Sequence, residues 1–222
     1  MSIRKKGFVF QEYYHVYNRG NSKQKIFHDS EDHHRFISLL YACNSVNNFR
    51  IHALNKGESP YDFERGTPLV DIGAYCLMPN HFHLLVTQTE KGDISRFVQK
   101  LTTAYVMYYN KKYKRTGGLF EGKFKANHLD GDPYLKYLFS YIHLNPIKII
   151  DKDWKESGVR NKKEALNYLA RYQYSSYVDY LGKNRIQNKI LNQEVFPSYF
   201  PTQNGFLKEI FEWINYNYKR NS

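Results

Sequence analysis

His81 and His83 stand two apart in the segment HFHLLVT, residues 81–87. Residues two apart on a strand project from the same face, so this spacing sets two imidazoles side by side in a geometry that can chelate a metal ion. Phe82, Leu84 and Val86 then occupy the opposite face and anchor the strand in a core. Taken alone, the pattern also describes two hydrogen-bonded histidines on a half-exposed strand. A second constellation is YLKYLFSYIHLN, residues 134–145. On a helix Tyr141 and Asn145 are one turn apart, as are Tyr137 and Tyr141, so a phenol and an amide can converge on one site. A tyrosine hydroxyl can serve as a nucleophile, and an amide oxygen can bind a cation. Aromatic residues at helical spacing also simply build cores.

The elements that must position these residues follow from pattern. Tyr13 to Asn18 is rich in strand formers and is stopped by the turn-forming Arg19-Gly20-Asn21-Ser22. Asp29 or Ser30 can cap a helix over Glu31 to Asn44, with Phe36, Leu39, Leu40 and Cys43 at helical spacing. Phe49 to Leu54 reads as a short strand, and Lys56 to Pro68 as a loop. Val70 to Met78 and His81 to Thr87 make two strands joined by a turn at Pro79-Asn80. Ile94 to Lys114 makes a second helix, ended by Gly117-Gly118, and Leu119 to Leu129 an extended segment. Asp132 and Pro133 open a third helix, Tyr134 to Leu144, stopped by Asn145-Pro146.

This order predicts an α+β fold: a ferredoxin-like sandwich, mainly antiparallel, with helices on one face of the sheet. Residues 1–150 form the core. Residues 151–222, polar, basic and Tyr-rich, form a C-terminal helical appendage with helices over Lys163 to Arg171 and Phe206 to Tyr218.

Composition narrows the class. The 222 residues suffice for one domain with a large extension. Lys and Arg number 33 against 21 Asp and Glu, a net charge of +12, which points to a polyanionic partner. Aromatic residues make 17% of the chain, many beside Lys, Arg or Asn, as suits base stacking next to phosphate contacts. No apolar run approaches the ~20 residues that span a bilayer, and the N-terminal segment has no long apolar core. The expectation is a soluble, cytoplasmic bacterial protein without membrane association. Cys43 and Cys76 lack CxxC spacing, so neither a disulfide framework nor a cysteine zinc site is indicated. No GxxxxGK[ST] string is present, and no nucleotide cofactor is expected. Between Ile94 and Phe120 every charged residue is basic: Arg96, Lys100, Lys111, Lys112, Lys114 and Arg115. That helix and its exit are a candidate surface for a nucleic-acid backbone, or simply a solvated basic face.

YCLMPNHFHLLV (Tyr75 to Val86), followed some sixty residues later by YIHLNPIK (Tyr141 to Lys148), resembles the REP-associated tyrosine transposases. These belong to the single-tyrosine transposases with a His-hydrophobe-His motif. YHVYNRGNSKQKIF (Tyr14 to Phe27), GGLFEGKFKA (Gly117 to Ala126) and YSSYVDYLG (Tyr174 to Gly182) extend the resemblance over roughly residues 8 to 182. The loop at Lys56 to Pro68 and the tail after Gly182 match none of its motifs.

The resemblance implies that His81 and His83 bind a divalent ion, that Asn145 is the third, amide ligand, and that Tyr141 is the nucleophile. Nitrogen and oxygen ligands together suit Mg²⁺ or Mn²⁺. Cleavage of single-stranded DNA at or near a hairpin would leave a 5′-phosphotyrosine and a free 3′-hydroxyl, and rejoining would need no ATP. Arg19, Lys123 and Lys125 lie in family-like segments and are further candidates for phosphate contacts. Tyr174, Tyr177 and Tyr180 are candidates for a DNA surface or for core packing. The long tail favours a monomer over a dimer exchanging its tyrosine helices. Two other functions fit the same residues: a phosphodiesterase using water, and a noncatalytic hairpin-binding protein.

Overall fold

A computed structural model describes residues 7–49, 57–90 and 93–215. The sequence order is β1 (Tyr13–Arg19), α1 (Ser30–Ala42), β2 (Val70–Met78), β3 (His81–Gln88), α2 (Ile94–Lys112) and β4 (Lys125–His128). The four strands run in the order β2-β3-β1-β4, and each pairs antiparallel with its neighbours. This is the ferredoxin-like arrangement of a βαββαβ chain, as expected from the pattern. β3 lies inside the sheet, flanked by β2 and β1.

The period-2 pattern decides the faces. Phe82, Leu84 and Val86 of β3, with Tyr14 and Val16 of β1 and Ile72 and Leu77 of β2, face α1 and α2. Phe82, Leu84 and Val86 are fully buried, and each contributes about 1.5–3 kcal/mol relative to exposure. α1 begins at Asp29, whose carboxylate accepts from the Asp32 N–H at 2.9 Å, and α2 begins at Asp93, which accepts from Arg96 N–H at 3.0 Å.

The opposite face is covered too, which corrects the expectation of helices on one face only. α3 (Asp132–Leu144) lays Leu135, Leu138, Phe139 and Ile142 on Ala74, Cys76, Met78 and Leu85. The small Ala74 and Cys76 let the helix approach the sheet closely. Pro133 occupies its first turn, where no N–H is needed.

Four short segments follow and wrap the end of α3: α4 (Ile147–Ile150), α5 (Trp154–Ser157), α6 (Lys162–Arg171) and α7 (Tyr177–Tyr180). With α8 (Gln203–Asn215) they bury Leu144, Ile147, Leu169, Tyr177, Phe206 and Ile210 together. Residues 174–176 lie along the outer edge of β2, Leu77 N–H donating to Tyr174 O and Ser176 N–H to Tyr75 O, both at 2.9 Å. Arg185 ties this segment down through the Asp179 carboxylate, Tyr75 Oη at 2.8 Å and Ser175 O at 2.8 Å. Tyr174 stacks on His33 at 3.9 Å between ring centroids, Tyr177 is buried, and Tyr180 donates to Gly73 O. All three tyrosines therefore pack.

Element boundaries differ by a few residues from expectation, with one larger change. Only Lys125–His128 of the segment 119–129 is a strand. Leu119 to Phe124 instead turns around the end of the sheet, with Gly122 at φ +65° and Glu121 N–H donating to Arg19 O at 2.8 Å. The strand expected at Phe49 to Leu54 lies, beyond Phe49, outside the described residues, as does the end of the C-terminal helix after Asn215. Residues 57–69 form no helix or strand. Cys43 and Cys76 are both buried and free, and among the described residues no helix is long and apolar enough to cross a membrane.

Candidate active site

β3 carries His81 and His83 toward α3, the alternation having sent Phe82 and Leu84 into the other layer. Their rings lie 4.9 Å apart between centroids and nearly perpendicular. The Tyr141 ring is edge-on to His83 at 5.6 Å. Asn145 caps the same helix one turn on, 2% exposed, and its Nδ2 donates to Tyr141 O at 2.8 Å. That bond engages the amide through Nδ2 rather than Oδ1. His81, His83, Tyr141 and Asn145 all line one cleft of about 640 Å³, so the four residues expected to act together do meet, within one chain.

The hydrogen bonds orient both imidazoles. Asn80 Nδ2 donates to Lys23 O at 3.1 Å, so its Oδ1 is the acceptor for His81 Nδ1–H at 2.6 Å. His81 therefore presents Nε2 as a lone pair. His83 Nδ1 lies 2.8 Å from His15 Nε2, and His83 Nε2 is buried with no partner. The buried, unpartnered Nε2 of His83 lies in a cleft that His81 and Asn145 also line, and two imidazole nitrogens with an amide oxygen are a donor set that suits a divalent cation. The set is two nitrogens and one oxygen, and among the described residues no group of three His, Cys, Asp or Glu side chains offers an alternative.

Electrostatics keep the imidazoles neutral. Burial pushes His81 down to about 4, helped by the charges of Lys148, Lys155 and Arg19. Burial likewise lowers His15 to about 4, and His83 is held well below its usual value by burial and then by His81 and His15. At neutral pH all three keep their lone pairs. Burial raises the Tyr141 hydroxyl above its ordinary value, while Asn145 and Lys148 pull the other way.

The cleft's positive charge comes from two loops. Arg19 ends β1 and Lys23 and Lys25 follow it, while Lys148, Lys152 and Lys155 follow α3, and among the described residues no acidic side chain lines the cleft. The first loop is pinned to the β2–β3 turn by Gly20 N–H to Asn80 O at 2.8 Å and Ile26 N–H to Pro79 O at 2.9 Å. Gly20 is required there, since a Cβ would come within 2.3 Å of Gln24 O. Lys155, on α5, stands with Nζ 4.1 Å from the Tyr141 ring centroid. Burial and then Lys148 lower it to about 8.

The cations expected on α2 do not line this cleft. α2 packs on the other face of the sheet, and its basic residues have local tasks. Arg96 donates to Val46 O at 3.0 Å and Lys100 to Ser45 O and Asn47 O, both at 2.5 Å. Lys112 pairs with Asp29, Glu31 and Asp32, and the Arg115 guanidinium lies over the Tyr109 ring. Lys111, in the last turn of α2, and Lys114, just beyond it, are exposed. Arg19 does line the cleft, paired with Glu121. Lys125 is exposed on β4, directly opposite Tyr17 and so on the site's face, and Lys123 is exposed in the preceding turn.

Sequence reasoning missed His15 and Lys155. His15 sits in the family-like YHVYN segment, and its alternation with Tyr17 and Arg19 already put it on one face with them. Lys155 carried no sequence signal, because only the folding of α5 against α3 brings it to Tyr141.

Residues 68–145 match the family model described as "Transposase IS200 like". Among solved structures, the chain shares its fold with one described as "Structure of the REP associates tyrosine transposase bound to a REP hairpin". The TM-score is 0.53 at 11% identity, over 84% of this chain and 90% of that one. A second, provisionally described as a transposase from Deinococcus radiodurans R1, gives 0.37 at 15% identity over 64% and 95% of the two chains. No curated protein matches the chain. The resemblance read from the motifs is borne out across residues 68–145, and the α+β antiparallel fold is borne out as well.

Proposed function

We propose that this chain, whose residues 68–145 match the IS200-like transposases, is a divalent-metal-dependent transposase that cuts and rejoins single-stranded DNA at or near hairpins. The observation that carries this reading is the meeting of Tyr141 with His83, 5.6 Å between ring centroids, in a cleft that among the described residues is lined by six cations and no carboxylate.

His81 Nε2, His83 Nε2 and Asn145 Oδ1 would hold the ion, and Mg²⁺ or Mn²⁺ suits this mixed donor set. When bound, it supplies charge neutralisation at a non-bridging phosphate oxygen. The chain's own groups do the rest. Arg19, Lys23, Lys25, Lys148 and Lys152 draw the backbone into the cleft. The Tyr141 oxygen, on losing its proton, attacks phosphorus in line with the 3′-oxygen. The Tyr141–phosphorus bond forms as the phosphorus–3′-oxygen bond breaks, and the departing oxygen takes up a proton to become a 3′-hydroxyl. The downstream strand stays linked through its 5′-phosphate. Attack by a 3′-hydroxyl on that ester reverses the exchange, so no external energy is needed.

Asn145 and Lys148 favour the phenolate as it develops, against the burial that disfavours it, and Lys155 places a further positive charge over the ring. Because Tyr141 and the histidines meet within one chain, the geometry supports a site complete in a monomer. Hairpin recognition is suggested by the shared fold with a protein whose structure was solved bound to a REP hairpin.

The test is a labelled hairpin oligonucleotide with single-stranded flanks, incubated with protein and Mn²⁺ and run on a denaturing gel. A protein–DNA adduct lost in Tyr141→Phe and on chelation is expected. Cleaved product without an adduct, persisting in Tyr141→Phe, would mean that water is the nucleophile. Binding that survives chelation and His81→Ala, with no cleavage, would mean a noncatalytic binder.

A further inference from the structure

A second cavity, of about 410 Å³, opens on the other side of Tyr141, between α3, α5 and α8. Tyr141 and Lys155 line both this cavity and the basic cleft, so the two spaces share a wall at the nucleophile. The character of the second space is different. Tyr137, Trp154 and Trp213 supply three aromatic side chains, and Leu144 and Val159 supply apolar floor. Tyr137 and Trp213 are in ring contact, 5.1 Å between centroids, and Tyr137 also meets Tyr141 at 5.9 Å. The charged groups are one Lys and one Glu, Lys155 and Glu156, so nothing here concentrates cations for a phosphate.

One polar group in the wall is unsatisfied. Trp154 Nε1 is buried without a hydrogen-bond partner, while Trp213 Nε1 donates to Glu209 at 2.9 Å. A buried N–H normally has a partner, and its absence marks a place where an acceptor is missing. With Glu156 as an acceptor, the cavity offers both halves of a base-edge contact. Its volume falls within the range of small-molecule sites, about 300–1,000 Å³.

We propose that this aromatic cavity takes an unpaired nucleobase of the DNA strand adjoining the scissile phosphate, stacked among Trp154, Trp213 and Tyr137. The proposal rests on the reading of the basic cleft as a DNA-cleaving site. A strand held by its phosphates in the cleft must send its neighbouring bases somewhere, and single-stranded DNA is commonly held by a cationic groove beside aromatic platforms. Seating one base beyond Tyr141 would also fix the register of the phosphate presented to the phenol, so cleavage position would depend on which base the cavity accepts.

The test uses the Tyr141→Phe protein, which binds without forming a link, and fluorescence anisotropy with labelled hairpin oligonucleotides. A series carries a single abasic site at each flanking position in turn. One position next to the cleavage site should lose about tenfold in affinity, the size expected for one lost base–aromatic stack. Adding Trp213→Ala, or Trp154→Ala, should abolish that positional loss, and Trp213→Phe should restore it. Thermal melting of each variant checks that it is folded. Equal affinity at every abasic position, or a loss that persists in both Trp→Ala variants, overturns the proposal. The parent protein with intact hairpin, scored for the covalent adduct, separates the two readings. An adduct without any base-sensitive position removes the pocket and leaves the cleavage reading. A base-sensitive position without an adduct does the reverse.

Discussion

His15 Nε2 lies 2.8 Å from His83 Nδ1, and both rings are buried. Only one of the two nitrogens carries the shared proton. If His83 Nδ1 donates, its Nε2 keeps the lone pair that stands unpartnered in the cleft. In the proposed metal site His15 would then select the tautomer and aim the ring, as hydrogen-bond partners of ligating histidines commonly do. His15→Phe, which keeps the packing but removes the acceptor, should weaken divalent-ion binding about 10–100-fold. Titration calorimetry of DNA-free protein with Mn²⁺ measures this, and unchanged affinity would leave His15 with packing alone.

The ammonium of Lys155, 4.1 Å from the Tyr141 ring centroid, titrates near 8. It is charged below that pH and neutral above it, so under the proposed mechanism its positive charge over Tyr141 would be lost as pH rises through about 8. Lys155→Met should slow adduct formation at pH 7, and Lys155→Arg should keep the rate while holding it up to higher pH. The initial adduct rate of the three proteins between pH 6 and 10 decides the matter, since a merely structural lysine would give parallel profiles.

Acid should destabilise the fold before most carboxylates titrate. Burial lowers His143 to about 3, and His15 and His81 to about 4, from the ordinary 6.5. Each folded value lies below the unfolded one, so the unfolded chain binds these protons first. The contribution to stability is fully present above about 6.5 and is lost as pH falls from there toward 4 and 3. Urea midpoints should drop steadily between pH 7 and pH 4.5. A flat profile over that window would show that these histidines are not neutral in the fold.

Asp32, fully buried, joins α1 to α2 by accepting from Lys112 Nζ at 2.9 Å, Tyr108 Oη at 3.0 Å, Tyr113 Oη at 2.7 Å and the His28 N–H at 2.8 Å. Burial alone would raise its carboxyl, but these four donors outweigh it and leave the group below its usual value. Asp32→Ala leaves Lys112 its contacts with Asp29 and Glu31 but strands two phenols and the His28 N–H, and should cost about 1–3 kcal/mol, the penalty for leaving buried polar groups unpaired. Equilibrium urea unfolding reads the loss directly.

Lys112 is thereby a structural residue, and the salt dependence of DNA binding should say so. Lys148→Ala or Lys152→Ala should each reduce the slope of log affinity against log salt by about 1, as for one lost phosphate contact. Lys112→Met should leave the slope unchanged. Anisotropy titrations from 50 to 300 mM KCl, about the span over which counterion release is readily measured, would expose an α2 role if the Lys112 slope fell.

Much of the site was legible in local pattern. The alternation of HFHLLV put His81 and His83 on one face and Phe82, Leu84 and Val86 on the other, because a strand's side chains have period 2 whatever surrounds it. The four-residue step from Tyr141 to Asn145 likewise put both on one helix face. Charge along α2 was equally visible, but its partners were not. Lys112 meets Asp29 and Asp32 some eighty residues away, and which side of the sheet α2 covers follows from crossover geometry rather than from its own residues. The same limit hid Lys155, whose place over Tyr141 depends on α5 folding back against α3. Sequence by itself determined which side chains share a face of one element. Tertiary structure alone decided which faces meet, because burial of apolar surface sets those pairings between segments far apart in the chain, and so it decided which cations serve the cleft.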